Sequence, residues 1–345
     1  MIIPVIMNTS FERLAAIDDY TSFIWTTRYY SAGDFELCVG AAENDISLFQ
    51  KGFYVVRDDD ENVGIIEDLK IQRNEDGHEM LIITGRFLSA ILARRIIAVQ
   101  TTVNGTISAC VNQLITENVV NPSITARKIA NFTIGDHVIS TTMTAQYTGK
   151  NLLETITDIC KTYGVGFKTT LDENNNFVFQ LYEGVDHTYD QDTLPYIIFS
   201  DKYDNLLSSD YEENYQNIAT AVLVAGEGEG TARKTKWVTD GSTGLQRFEV
   251  YKDQRNLQSD DGEIDAEDYD DILEESGKES LTQYTAAFTG TVYFDNVKYK
   301  EDINVGDLCV IENSRWGIYI NTRLVEVIES VSETGDYSIV PTFGM

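Results

Sequence analysis

Apolar and polar positions alternate over short runs through the first part of the chain, the period of strands. IIPVIM, FIWTTRYY, FELCVG, FYVVRD, VGIIEDLKIQR and EMLIITG are rich in β-branched and aromatic residues. Polar turns separate them: SAGD, then DDDEN at Asp58 to Asn62, then NEDG at Asn74 to Gly77. The Asp, Asn and Gly chemistry of the last two predicts hairpins. Several short strands at regular spacing predict a small barrel or sandwich over residues 1–85.

The period changes near Gly85. From Phe87 to Ile97 the apolar residues Leu88, Ile91, Leu92 and Ile96 fall at helical spacing. Thr106 to Asn118 predicts a second helix, with Ile107, Val111, Leu114 and Ile115 on one face. A third follows Gly149, where Leu152, Leu153, Ile156 and Ile159 make a stripe that ends near Tyr163-Gly164. VGFKTTL and FVFQLYEG then form a hairpin turning at Glu173 to Asn176. Helices followed by a hairpin predict an α+β insert over residues 86–195. Strands return with YIIFS, NIATAVLVAGEG, KTKWVTD and QRFEVYKD, and the chain ends on DLCVIE, GIYINTRLVEVIES and DYSIVPTFG. Between Ser259 and Glu279 lies the most acidic stretch, containing a predicted helix, DYDDILEESGKESL. Asp265, Glu267 and Asp268 precede it, where carboxylates favour the helix dipole.

Charge narrows the function classes. Against 56 acids stand 26 bases, a net charge of −30 over 345 residues. A coat of that sign repels phosphate and anionic lipid, so binding nucleic acid through a basic surface is not expected. The N-terminus MIIPVIMNTSFERL lacks a basic n-region and does not read as a signal peptide. The longest apolar candidate, FLSAILARRIIAV, is broken by Arg94 and Arg95 and is too short to span a bilayer. Cys38, Cys110, Cys160 and Cys309 are scattered without a pairing pattern, which predicts buried thiols and synthesis in a reducing cytosol.

Catalytic signatures are weak. His78, His137 and His187 lie beside turn residues, outside any metal-ligand spacing. Gly226-Glu-Gly-Glu-Gly230 has the look of a phosphate loop but lacks the GK[ST] ending, and Glu227 and Glu229 would repel phosphate, so a turn or bulge is expected. Asp260-Asp261-Gly262 does not fit the calcium-loop pattern. No carboxylate pair stands out among the acids, because that reading needs separation and environment. The expectation is no catalytic, cofactor or metal-binding residue, and no enzyme.

Four segments, in order along the chain, resemble the tail-hub proteins of bacteriophages. This siphophage-type family is related to the T-even baseplate hub and to the N-terminal module of tail-associated lysins. The first segment, Trp25 to Leu37, follows W-x-x-R-Y-x-x-x-G-x-F-x-L through Arg28, Tyr29, Gly33 and Phe35. The second runs from Gly85-Arg86 to Arg94-Arg95-Ile96, and the third from Phe199-Ser200 to Leu206-Leu207, followed by Val224 to Arg233. The fourth comprises Asp302 to Leu308, Thr322-Arg323 to Val327 and the terminal Pro341-Thr-Phe343-Gly344, with no lysin domain expected after it.

The resemblance implies a mainly β fold with two small β-barrels and inserted helix and hairpin domains. Residues 1–85 would be one barrel, 196–230 with 285–345 the other, and 86–195 and 231–284 the inserts. It implies a structural role without chemistry: a homotrimer of more than roughly 2,000 Å² interface whose six barrels ring a channel at the distal end of a virion tail. Such a hub is assembled in the host cytoplasm. Its partners would be the tail tube, distal tail, tape measure and tip, spike or receptor-binding proteins, with DNA only in transit. A tail-associated cell-wall hydrolase and a carbohydrate-binding receptor module are the alternatives. Trp25 and Leu37 are expected in the first core. Arg28, Arg86, Arg94 and Arg323 either pair with some of the many acids or serve interfaces.

Overall fold

The computed structural model describes residues 2–41, 45–73, 77, 79–214, 218–259, 264–281, 285–292 and 297–344, with backbone alone over 207–210, 213–214 and 285–292. The NEDG turn lies largely outside the described residues, as do His78 and Asp260-Asp261-Gly262.

Seven strands open the chain: β1 (Val5–Met7), β2 (Arg13–Ala16), β3 (Ser22–Arg28), β4 (Asp34–Gly40), β5 (Tyr54–Val56), β6 (Val63–Arg73) and β7 (Glu79–Phe87). They are ordered β3-β4-β7-β6-β5-β1-β2. One core gathers Ile6 of β1, Trp25 of β3, Leu37 of β4, Val55 of β5, Ile66 of β6 and Ile83 of β7, so the sheet curls until its far strands share an interior. Trp25 and Leu37 are fully buried there, as the alternation predicts. A register shift between Ile66 and Asp68 bends β6. Opposite the bend is Gly85, where a Cβ would lie 1.7 Å from the Ile65 carbonyl oxygen.

The middle segment holds three strands that helical periodicity did not announce: β8 (Thr101–Thr106), β9 (Phe132–Ile134) and β10 (Thr142–Tyr147). Around them lie α1 (Ile107–Ile115), α2 (Leu152–Tyr163) and the hairpin β11 (Gly166–Leu171)–β12 (Phe177–Tyr182). Local chemistry sets the ends. Asn151 caps α2 by accepting from the Leu153 and Glu154 N–H groups, and Gly164 closes it at φ +67°. Thr106 caps α1 through the Ala109 N–H. The expected helix from Phe87 to Ile97 is instead a 3₁₀ helix, Leu88–Arg94. Its ends are tethered, by β7 on one side and by the Ile96–Asn151 bridge on the other, which leaves a short, tight stretch. Leu114, Ile156, Phe167 and Phe179 pack with Tyr54, Val56, Val63 and Ile65, so the first sheet is buried on both faces where this layer covers it.

Next come β13 (Ile198–Ser200), β14 (Leu206–Asn214), β15 (Ala221–Ala225), β16 (Thr235–Thr239), β17 (Glu249–Asp253) and α3 (Ala266–Lys278). β15 pairs with β16 and β17, and Val222, Val224 and Val238 of this small sheet pack on Tyr269, Ile272 and Leu273 of α3. The last strands are β18 (Thr285–Val292), β19 (Leu308–Asn313), β20 (Ile318–Ser332) and β21 (Tyr337–Gly344). They run β14-β18-β21-β20, with β19 on β20 and β13 parallel to β19, around a core of Phe199, Ile311, Leu324, Val327 and Phe343.

The 15-residue β20 joins the two ends of the chain. Its first part pairs with β19, and its last part pairs with β3, from Glu326–Arg28 to Ser332–Ser22. The protein is therefore β-dominant, at 41% strand and 19% helix, and its two curled strand groups form one continuous 13-stranded sheet. Among the described residues no pairing closes either group into a ring. The expectation of two barrels thus corresponds here to two curled halves of one sheet, with separate cores.

Candidate functional site

The seam between the two halves carries a buried charge network. Within β20, Val327 and Val331 point inward and Glu329 takes the inward place between them, only 3% exposed. Its carboxylate accepts from Arg57 Nη1 at 3.2 Å and Nη2 at 3.1 Å, from Lys300 Nζ at 3.1 Å and from the Tyr337 hydroxyl at 2.7 Å. Arg57 also donates to both Asp59 oxygens, at 2.9 and 2.6 Å, and its guanidinium lies 5.6 Å from the Trp25 ring centre. Lys300 donates to Asp60 at 2.6 Å. The DDDEN turn links β5 to β6 as its composition predicts, and Asp60 closes it by accepting from the Asn62 backbone N–H.

Burial opposes the Arg57 charge, but the hydrogen bonds to Asp59 and the Glu329 carboxylate outweigh it and hold its pKa above the ordinary value. The same contact holds Asp59 below the usual carboxylate range. Burial, reinforced by Glu329, pushes the phenols of Tyr299 and Tyr337 up.

Beside the network opens a cleft of about 390 Å³ between the β3–β4 turn, the β11–β12 hairpin and the loop carrying Lys300. Its cations are matched to carboxylates. Arg28 donates to Glu326 at 2.6 Å and also to Asp34, and Lys168 donates to Glu61 at 2.6 Å. Paired cations of this kind have little left to offer an anionic ligand. The arrangement holds three parts of the chain together.

The W-x-x-R-Y-x-x-x-G-x-F-x-L residues are explained by packing around this seam. Trp25 meets Phe87 at 4.5 Å and Phe35 at 6.0 Å. The buried Tyr29 hydroxyl donates to the Gly164 carbonyl at 3.1 Å and accepts from Gly184 N–H at 3.3 Å. Gly166 and Gly306 lie against its ring so closely that a Cβ would stand 2.2 and 2.4 Å from it. Of the four arginines, Arg28 pairs with acids, and Arg86 makes a two-pronged contact with Glu67 at 2.7 and 2.9 Å. Arg323 instead donates to the Gly306 carbonyl and lies 5.0 Å from the Tyr29 ring centre, and Arg94 is exposed.

The weaker candidates also have places. His137 accepts from the Leu181 N–H, and His187 donates to the Pro195 carbonyl at 3.0 Å. Gly226-Glu-Gly-Glu-Gly230 is a turn: Gly226 N–H donates to the Lys234 carbonyl, and Glu227 accepts from Ser259 at 2.9 and 2.7 Å. Asp265 caps α3 through the Glu267 and Asp268 N–H groups. Among the described residues no three His, Cys, Asp or Glu side chains converge as a metal site. The four cysteines are buried and unpaired.

A second polar seam joins α3 to the middle segment. Tyr163 donates to Glu275 at 2.6 Å, and Tyr147 donates to Glu279 at 3.0 Å, with Lys150 and Lys252 each 3.4 Å from Glu279. Glu275 is 3% exposed and one of its oxygens has no partner. Burial holds its pKa above the ordinary value, against the pull of the Tyr163 hydrogen bond.

Sequence reading missed the Arg57–Glu329–Lys300 network. A signal existed: an acid at an inward position of an alternating strand must find a partner.

The family model described as Siphovirus ReqiPepy6 Gp37-like protein matches residues 3–345. No curated protein matches the sequence. The fold is similar to that of the tail protein from Neisseria meningitidis MC58, at TM-score 0.59 and 15% identity over 100% of this chain and 96% of that one. It is similar to prophage tail protein gp18 from Listeria monocytogenes EGD-e, at 0.57 and 14% over 99% and 94%. The 43 kDa tail protein of prophage MuSo2 from Shewanella oneidensis gives 0.58 and 14% over 99% and 98%.

Proposed function

The chain belongs to the Siphovirus ReqiPepy6 Gp37-like family and shares the fold of bacterial and prophage tail proteins, and we propose that it resides in the virion tail as the structural hub at its distal end. In this reading three copies make a ring around a channel, joining the tail tube and distal tail proteins to tip or spike proteins, with the tape measure protein and DNA passing through. It works by assembly, without catalysis. The observation that carries the reading is the β3–β20 pairing. It fuses two curled sheet halves into one body, locked by Arg57, Glu329 and Lys300, and three such bodies supply six curled halves to a ring. Residues 1–85 are the first ring element and 196–230 with 285–345 the second, as the resemblance implied, except that β15 within 196–230 pairs with β16 and β17 and leaves the second strand group. Residues 86–195 form one insert, and the small sheet of β15–β17 groups with α3 in the other.

The charge of −30 fits a channel that passes DNA, since an acidic wall gives phosphates no place to adhere. Light scattering tests the assembly: the purified chain should show about three times 38.8 kDa. A monomer persisting at high protein concentration would overturn it. In a ring seen by electron microscopy, acids should be richer on the inner wall than on the rim. A neutral or Lys/Arg-lined wall would assign the charge to the periphery.

A further inference from the structure

The outer face of the second sheet half presents a cluster of solvent-facing tyrosines. Tyr189 and Tyr196, from the segment between β12 and β13, meet Tyr319 of β20. Tyr189 stands edge-on to Tyr196 at 4.9 Å and parallel to Tyr319 at 6.2 Å between ring centres. The three remain 45%, 48% and 55% exposed.

The segment that presents them is internally tied. Ile197 N–H donates to the His187 carbonyl at 3.0 Å, and His187 N–H donates to Leu308 at 2.9 Å. The Gln191 side chain accepts from the Thr193 and Leu194 N–H groups and donates to the Thr188 and Leu194 carbonyls. Asn321 of β20 donates to Asp190 at 2.8 Å and pins the segment to the sheet. Rings held in place before binding lose little entropy on association, which is the character of an interface anchor.

Carboxylates border the rings. Asp190 and Asp192 are exposed on the same segment, and Glu312 lies opposite Tyr319 in the β19–β20 register. One lysine, Lys202, pairs with Glu312. Aromatic faces beside carboxylates are the chemistry that recognises cations. Asp190, Asp192 and Glu312 give this face a local acidic border that would repel a like face, so charge here favours a partner of the opposite sign.

We propose that this face docks a basic segment of another protein, with arginine or lysine side chains lying over Tyr189, Tyr196 and Tyr319 and against the carboxylate border. The inference stands apart from the hub reading. Its test uses the full chain and a labelled hexa-arginine amide, with affinity read by fluorescence anisotropy. Changing Tyr189 and Tyr319 together to Ala removes no charge, so general attraction to an acidic protein survives it. The loss of the rings should weaken binding about fivefold or more, while Tyr189→Phe with Tyr319→Phe should retain it. If the double Ala variant fails to fold, Tyr196→Ala alone should still weaken binding at an unchanged melting temperature. Affinity that is the same in parent and Ala variants would overturn the proposal. So would chitohexaose binding, or self-association, that the Ala variant abolishes while hexa-arginine binding stays, because the face would then belong to a glycan or a second copy.

Discussion

Replacing Glu329 with Ala should be among the most damaging single changes in the chain. The substitution deletes the acceptor of four hydrogen bonds, from two Arg57 nitrogens, Lys300 and Tyr337. Arg57 keeps Asp59, but its side chain has no exposure, so water cannot replace the lost partner. Lys300 suffers less, being 31% exposed and still paired with Asp60. Removing one partner of a buried ion pair costs about 3–5 kcal/mol, most of it the stranded charge. The exposed pair Arg13–Asp58, whose side chains are 59% and 74% exposed, is the internal control. Asp58→Asn should change stability by no more than about 0.5 kcal/mol. Urea unfolding at pH 7 measures both, with the slope checked for constancy. The Glu329→Ala loss should persist in 1 M salt, because ions screen surface pairs and not a sealed one. A loss below about 1 kcal/mol, or one matching Asp58→Asn, would show that the seam is not desolvated and refute the reasoning.

Trp25→Ala should cost roughly 3–5 kcal/mol by emptying the first core, and an unchanged melting temperature would contradict the packing around Phe87 and Phe35. Gly85→Ala should abolish soluble folded protein, since its Cβ would lie 1.7 Å from a backbone oxygen that cannot yield, whereas Gly52→Ala, at φ +87° in open space, should cost only about 1–2 kcal/mol. Expression and circular dichroism of the two glycine variants decide between them. The raised pKa of Glu275 means that the native state holds its proton more tightly than the unfolded chain. Its stabilising contribution is therefore complete below the unfolded pKa of about 4.3 and is lost as pH rises through the higher native value. Glu275→Gln, neutral throughout, should melt higher than the parent at pH 8 and level with it near pH 4. An offset that does not vary with pH would contradict the buried-carboxyl account.

What the sequence determined by itself was local. Asn151 and Gly164 bound α2, Asp265 caps α3, and Asp172 with Asn175 (φ +59°) turns the β11–β12 hairpin, each through side-chain chemistry within a few residues of the element it ends. Alternation was enough to put Trp25 and Leu37 inside, because a strand with one buried face must repeat every second residue. The ordered tail-hub motifs were legible too, and packing against Tyr29 and Trp25 explains the Trp25–Leu37 segment. Tertiary structure alone decided the rest. β8, β9 and β10 are short strands whose partners, not their own pattern, make them strands. Periodicity has no means of stating that β20 lies beside β3, or that Glu329 meets Arg57 from 272 residues away. Nor could it say whether Arg28 or Arg323 would find an acid or a carbonyl. Such pairings depend on which surfaces close on one another once the local elements exist, and their energies come from desolvation that no single segment experiences alone.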